Sequence, residues 1–166
     1  MATTNLSDIE LMISEAENKY ARQVDSIQSL KNSAGTIFSA SSLIVSLISL
    51  FQILDQPPAP RHELVFILLL AITGGLYLWL VLTCLKILRP TEYQGPVEIT
   101  YPTYENYFKG KSEEKLLDMK LKLYIRAIEN NDPVLIELER GTQRAYRLLP
   151  VLIAAIIALA VLPMLT

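Results

Sequence analysis

Few side chains in this sequence could do chemistry. Cys84 lies inside an apolar run, so it can neither form an internal disulfide nor hold a metal alone. His62 is the lone histidine and sits in a short proline-rich loop. Glu113-Glu114 and Glu137/Glu139 pair carboxylates on helix faces that solvation and helix capping explain. Zinc-protease, nucleophile-elbow, P-loop and dinucleotide fingerprints are absent, as is any Cys/His cluster. The expectation is therefore no enzyme, no metal and no cofactor.

Binding chemistry is better represented. Tyr93, Tyr101, Tyr104, Tyr107 and Phe108 crowd into an irregular linker. Their rings suit either the headgroup layer of a membrane or the π-face of a nucleotide base. Arg140, Arg144 and Arg147 could meet a phosphate, or could sit among headgroups at a helix end. Tyr104, Tyr107, Arg140 and Arg144 are thus the candidate ligand-binding residues. The net charge of −2 gives no basic field that would favour a nucleic acid polymer.

The elements that must position these residues follow from two charge-free runs, 33–54 and 64–85, separated by a nine-residue loop, 55–63, with three prolines. About 22 helical residues cover the roughly 30 Å hydrocarbon core of a bilayer. With 51% hydrophobic residues and a mean hydropathy of +0.32, the chain reads as a small integral membrane protein. A third apolar run, 148–166, is just long enough to span, with Pro150 and Pro163 inside it. The expected fold is all-α, with three transmembrane helices and a small cytoplasmic helical bundle.

Within the first run, Gly35, Ser39, Ser42, Ser46 and Ser49 recur at steps of four and three. Small residues let helix backbones approach in lipid, so this stripe reads as a packing face toward the second span or another subunit. Gly74-Gly75 would leave a matching notch in the second run. Oligomerisation of the chain with itself is expected on that basis.

Residues 1–32 read as an amphipathic helix. Leu6, Ile9, Ile13, Ala16, Tyr20, Val24, Ile27 and Leu30 form one face, and nothing breaks the helix before the first span. Residues 112–149 read as a helical hairpin. Ser112 caps its first arm, with Leu117, Leu121, Tyr124 and Ile128 on the apolar face. Asn130-Asn131-Asp132-Pro133 supplies the break, and Leu135, Leu138, Thr142, Ala145 and Leu149 line the second arm. The domain order is a cytoplasmic helix at 1–32, a membrane hairpin at 33–88, a loop plus helical hairpin at 89–147, and a third span at 148–166. Lys and Arg concentrate in 1–31 and 86–147, with only Arg61 in the 55–63 loop. The positive-inside rule then places the N-terminus and 89–147 in the cytoplasm and the C-terminus outside the inner membrane.

This arrangement resembles the transmembrane effectors of bacterial Pycsar antiphage defence, and more broadly the related SLATT membrane modules. The likeness is carried by Asp25, Lys31 and Ala34-Gly35 at the entry to the first span, and by Leu88-Arg89-Pro90 at the exit of the second. It continues through Tyr104-Glu105-Asn106-Tyr107-Phe108-Lys109-Gly110, Leu123-Tyr124, Ala127-Ile128, Asn130-Asn131 and Arg144-Ala145-Tyr146-Arg147. A Lys expected near Glu137–Glu139 is missing. The resemblance implies a membrane effector that senses a cyclic mononucleotide in the cytoplasm and impairs inner-membrane integrity. From the residues alone, a structural or assembly subunit of a membrane complex stands as the alternative.

Overall fold

The computed structural model describes residues 6–50, 63–90, 95–96 and 109–162, the side chains of 47–50 excepted. Three helices account for nearly all of them: α1 (Leu6–Leu50), α2 (Glu63–Leu88) and α3 (Glu113–Val161). The described residues are thus all-helical, as expected. Residues 51–62 with His62, most of the aromatic linker, Pro163 and the Ser49 side chain lie outside them.

One expectation is overturned. Asn130-Asn131-Asp132-Pro133 does not break the chain into a hairpin, because α3 runs as a single helix of 49 residues into the last apolar run. The buried residues explain why. Ile128, Asn131, Leu138, Thr142, Ala145, Leu152, Ile156 and Leu159 are all buried. With the half-buried Leu117, Leu121, Tyr124, Leu135 and Leu149 they advance by alternating steps of four and three. That is an uninterrupted heptad seam. A turn at Pro133 would throw every later seam residue off its partner. Proline removes one backbone hydrogen bond and bends a helix, but it need not end one that tertiary packing holds.

α1 has the same pattern. Ile9, Ile13, Ala16, Gln23, Ile27, Ala34, Ile37 and Ser41 are buried, and Tyr20, Leu30 and Ile44 partly so. The expected face is correct except at two places: Leu6 is exposed, and Gln23 takes a seam position that Val24 was expected to share.

The chain divides into two compact units. Unit 1 comprises 1–28 and 90–137, and unit 2 comprises 29–89 and 138–166. In unit 1, Lys120 pairs with Glu17 at 2.7 Å, Tyr20 meets the Tyr124 ring edge-on at 6.0 Å between centroids, and Gln23 reaches Ile128 and Asp132. Rising numbers on one helix meet rising numbers on the other, so the two segments are parallel. Their buried isoleucines have the water-driven stabilisation of a soluble core, about 1.5–3 kcal/mol for each side chain fully removed from water. At the entry to α3, Gly110 takes φ +79°, which a glycine adopts without strain. The Ser112 carbonyl accepts the first helical bond, from the Leu116 N–H at 3.1 Å.

The core of unit 2 joins all three helices. Ile37 of α1, Leu80 and Cys84 of α2, and Ala145, Leu152 and Ile156 of α3 form one cluster. Outside that seam α2 is apolar in nearly every direction. Leu64, Ile67, Leu68, Leu78, Trp79 and Leu82 are all more than half exposed. α2 and α3 each have a stretch long and apolar enough to cross a bilayer, and only 17% of either stretch is buried. Such surface differs from the core helix of a soluble protein, which hides most of its apolar residues.

The seam makes a direct prediction at Gly141. A Cβ there would come within 3.0 Å of the Ile87 side chain, whereas one at Gly74 would meet nothing within 4 Å. Gly141→Val is expected to destabilise the folded chain by about 1–3 kcal/mol through overpacking. Gly74→Val should leave the thermal midpoint of the detergent-solubilised monomer nearly unchanged. Equal midpoints for the two variants would contradict the packing described.

Candidate functional site

Polar chemistry in the described residues gathers in unit 1, along the α1–α3 seam and on the outer face of α3. At the seam, Gln23 is 94% buried, since only 6% of its surface is exposed. Its Nε2 donates to the Ile128 carbonyl at 3.3 Å and to the Asp132 carboxylate. Asn131 beside it is 1% exposed. The layer brackets the proline: Pro133 cannot donate to the Glu129 carbonyl, and the ring strains the turn that Ile128 to Asp132 form. A side-chain amide from α1 holds that turn from outside the helix. The Gln23 Oε1 is left with no hydrogen-bond partner, so the layer is not fully satisfied. A polar layer in a heptad seam costs stability and fixes which residues face each other.

About two turns away, Glu17 and Lys120 form an ion pair beside Tyr124. The hydrogen bond to Glu17 raises the Lys120 pKa above its usual value. Burial raises that of the Tyr124 hydroxyl, and the Glu17 charge adds to the effect. Both side chains of the ion pair are 42–50% exposed, so the pair itself adds little stability.

An open recess of about 410 Å³ lies along α3, lined by Met119, Lys122, Ile125, Arg126 and Glu129. It offers two cations and an apolar wall. Lys122 is engaged by Asp118 at 2.6 Å, a pairing one helical turn apart. Sequence reasoning does not single out Lys122 and Arg126, which lie off the apolar face of Leu117, Leu121, Tyr124 and Ile128. Their spacing of four on a helix was the available signal.

The ligand-binding candidates separate. Tyr104 and Tyr107 fall outside the described residues. Arg140 and Arg144 are exposed residues of unit 2 and are not among the residues lining the recess.

The small-residue stripe is only partly turned inward. Ser39 and Ser46 are exposed, and Ser42 and Gly35 are half-buried. The Ser46 hydroxyl donates to the Ser42 carbonyl of its own helix at 2.9 Å. Inside the chain the packing face of α1 is instead Ala34, Ile37 and Ser41, one position away. Gly74 and Gly75 are exposed and touch nothing. Among the described residues no group of three or more His, Cys, Asp or Glu is arranged to hold a metal ion. Comparison with protein families, curated proteins and solved structures finds no match.

Two outcomes follow from this geometry. Gln23→Ala would remove the side-chain bonds to the Ile128 carbonyl and the Asp132 carboxylate, and is expected to cost about 1–3 kcal/mol in chemical denaturation. An unchanged midpoint would remove Gln23 from the seam. The pKa shifts of Lys120 and Tyr124 share a sign, because both groups hold their protons more tightly when folded. Their contribution is complete below the unfolded values near 10 and is lost as pH rises through the folded ones. Thermal melts should therefore fall more steeply above about pH 10 in the wild type than in the Tyr124→Phe, Lys120→Gln double variant. Parallel pH profiles would contradict the assignment.

Proposed function

We propose that this chain is a membrane effector with three transmembrane crossings, at 33–54, 64–85 and 148–166. The unit 1 segments act as its aqueous input module. The apolar surface of α2 and the late part of α3 supports a bilayer as the medium around unit 2, since so little of it is buried within the chain. The observation that carries the reading is helix continuity. α1 and α3 each pass without interruption from a charged, water-adapted stretch into an apolar one. A ligand that prefers one packing of the parallel α1–α3 seam would thereby bias the arrangement of the crossing segments.

Under this reading the soluble segments lie in the cytoplasm at the inner membrane, as the distribution of Lys and Arg suggests. The resemblance to antiphage effectors supports a cyclic mononucleotide as the input and a self-associated, membrane-impairing state as the output. The α3 recess is the better seat for such a ligand. Lys122 and Arg126 suit a phosphate, and Met119 and Ile125 suit the face of a base.

A second reading, a structural or assembly subunit, is favoured by one feature: Gly74, Gly75, Ser39 and Ser46 leave small-residue surface uncovered within the chain.

Leakage of a trapped dye from liposomes carrying the full chain separates the two. The effector reading expects leakage to rise at least about tenfold with one cyclic mononucleotide, and to be abolished by Lys122→Ala plus Arg126→Ala, each lost charge-assisted bond weakening binding substantially. No leakage with any cyclic mononucleotide, in a chain shown to be inserted, would overturn it and leave the assembly reading.

A further inference from the structure

We propose that unit 2 has a headgroup site for anionic phospholipid, built by cations that all three helices bring within about two helical turns of one cross-section. The inference rests on the membrane reading above and goes beyond it. Two close approaches fix that cross-section. A Cβ on Gly35 would lie 4.0 Å from Leu88, and one on Gly141 would lie 3.0 Å from Ile87. Gly35 of α1, Ile87–Leu88 of α2 and Gly141 of α3 are therefore neighbours around the same cross-section. Lys31 precedes Gly35 by one turn, Lys86 and Arg89 flank the α2 pair, Arg140 adjoins Gly141, and Arg144 and Arg147 follow it by about one and two turns. Arg89, Arg140, Arg144 and Arg147 are all exposed. Glu139 is the carboxylate that the described part of unit 2 places near them.

Two features select lipid over a soluble anion. The cations sit at the edge of apolar surface: Leu85, Leu82 and Leu78 on α2 are exposed, and Val151 and Ile157 on α3 likewise. A diacyl chain can lie along that surface while its phosphate meets the guanidinium groups, which donate to phosphate oxygens in a fork. Tyr146, 55% exposed between Arg144 and Arg147, has the amphipathic ring that favours the headgroup depth. A free phosphate would gain nothing from the apolar flank.

The test uses the full chain in detergent, exchanged against equal phosphatidylglycerol and phosphatidylcholine, with retained lipid quantified by mass spectrometry after washing. A basic residue near an anionic surface contributes about fivefold to binding. The wild type is expected to retain phosphatidylglycerol over phosphatidylcholine by at least about tenfold, and less so in high salt. Arg140→Gln, Arg144→Gln and Arg147→Gln together should erase the preference, while the three Arg→Lys changes preserve most of it. If the triple Gln variant loses helicity, the single exposed changes Arg140→Gln and Arg147→Gln should each lower the preference several-fold. Equal retention of both lipids by the wild type, an unchanged preference in the folded Gln variants, or full competition by inorganic phosphate would overturn the site. A chain that stays dispersed without detergent and retains neither lipid would instead overturn the membrane reading beneath it.

Discussion

The constraint on which the structure depends is the heptad register of α1 and α3. Each helix keeps its buried residues at steps of three and four from the polar stretch into the apolar one. In unit 1 this produces a parallel pair, with Glu17 at Lys120, Tyr20 at Tyr124 and Gln23 at Ile128 and Asp132. Register is costly to change because a shift of one residue would expose several isoleucines and bury charges in their place. The polar layer at Gln23 and Asn131 adds specificity where an all-apolar seam could slide by a heptad.

Under the proposed membrane reading, the same seam works under two different physical regimes. Around Ile9, Ile13, Ile27 and Ile128 water drives burial. In unit 2, if lipid surrounds it, apolar burial gains little, and packing must come from close approach. The residues change accordingly. Ala34, Ser41, Gly141, Ala145 and Cys84 stand among Ile37, Leu80, Leu152 and Ile156 at or beside the seam, and a methyl group on Gly141 would press on the Ile87 side chain at 3.0 Å.

Much of this was legible in the sequence. The apolar faces at Ile9 to Ile27 and at Leu138 to Ala145 follow from periodicity alone, as do the charge-free runs. The helical hairpin at 112–149 does not exist, because local turn chemistry at Asn130–Pro133 lost to a seam that continues through it. Counting the heptad across the proline, from Ile128 to Leu135 by way of Asn131, would have shown this. Gln23 escapes a hydrophobic pattern because it is polar, and for the same reason Asn131 reads as part of a break and not as a seam residue. The serine stripe was read as the packing face, yet within the chain the close contacts belong to the neighbouring Ala34–Ile37–Ser41 positions. Periodicity identifies a stripe, but hydroxyl groups that bond to their own helix, as Ser46 does, need no neighbour.

Under the proposed membrane reading, the parallel α1–α3 pair of unit 1 is expected on one side of the bilayer and the 55–63 loop on the other. Site-specific labelling measures this directly. Single cysteines at Glu15, Ala59 and Asp118, in a Cys84→Ala background, are exposed to a membrane-impermeant maleimide in intact cells and after lysis. The account predicts labelling of position 59 in intact cells, and of positions 15 and 118 only after lysis. Labelling of 59 and 118 from the same side, or recovery of the protein in the soluble fraction, would contradict it.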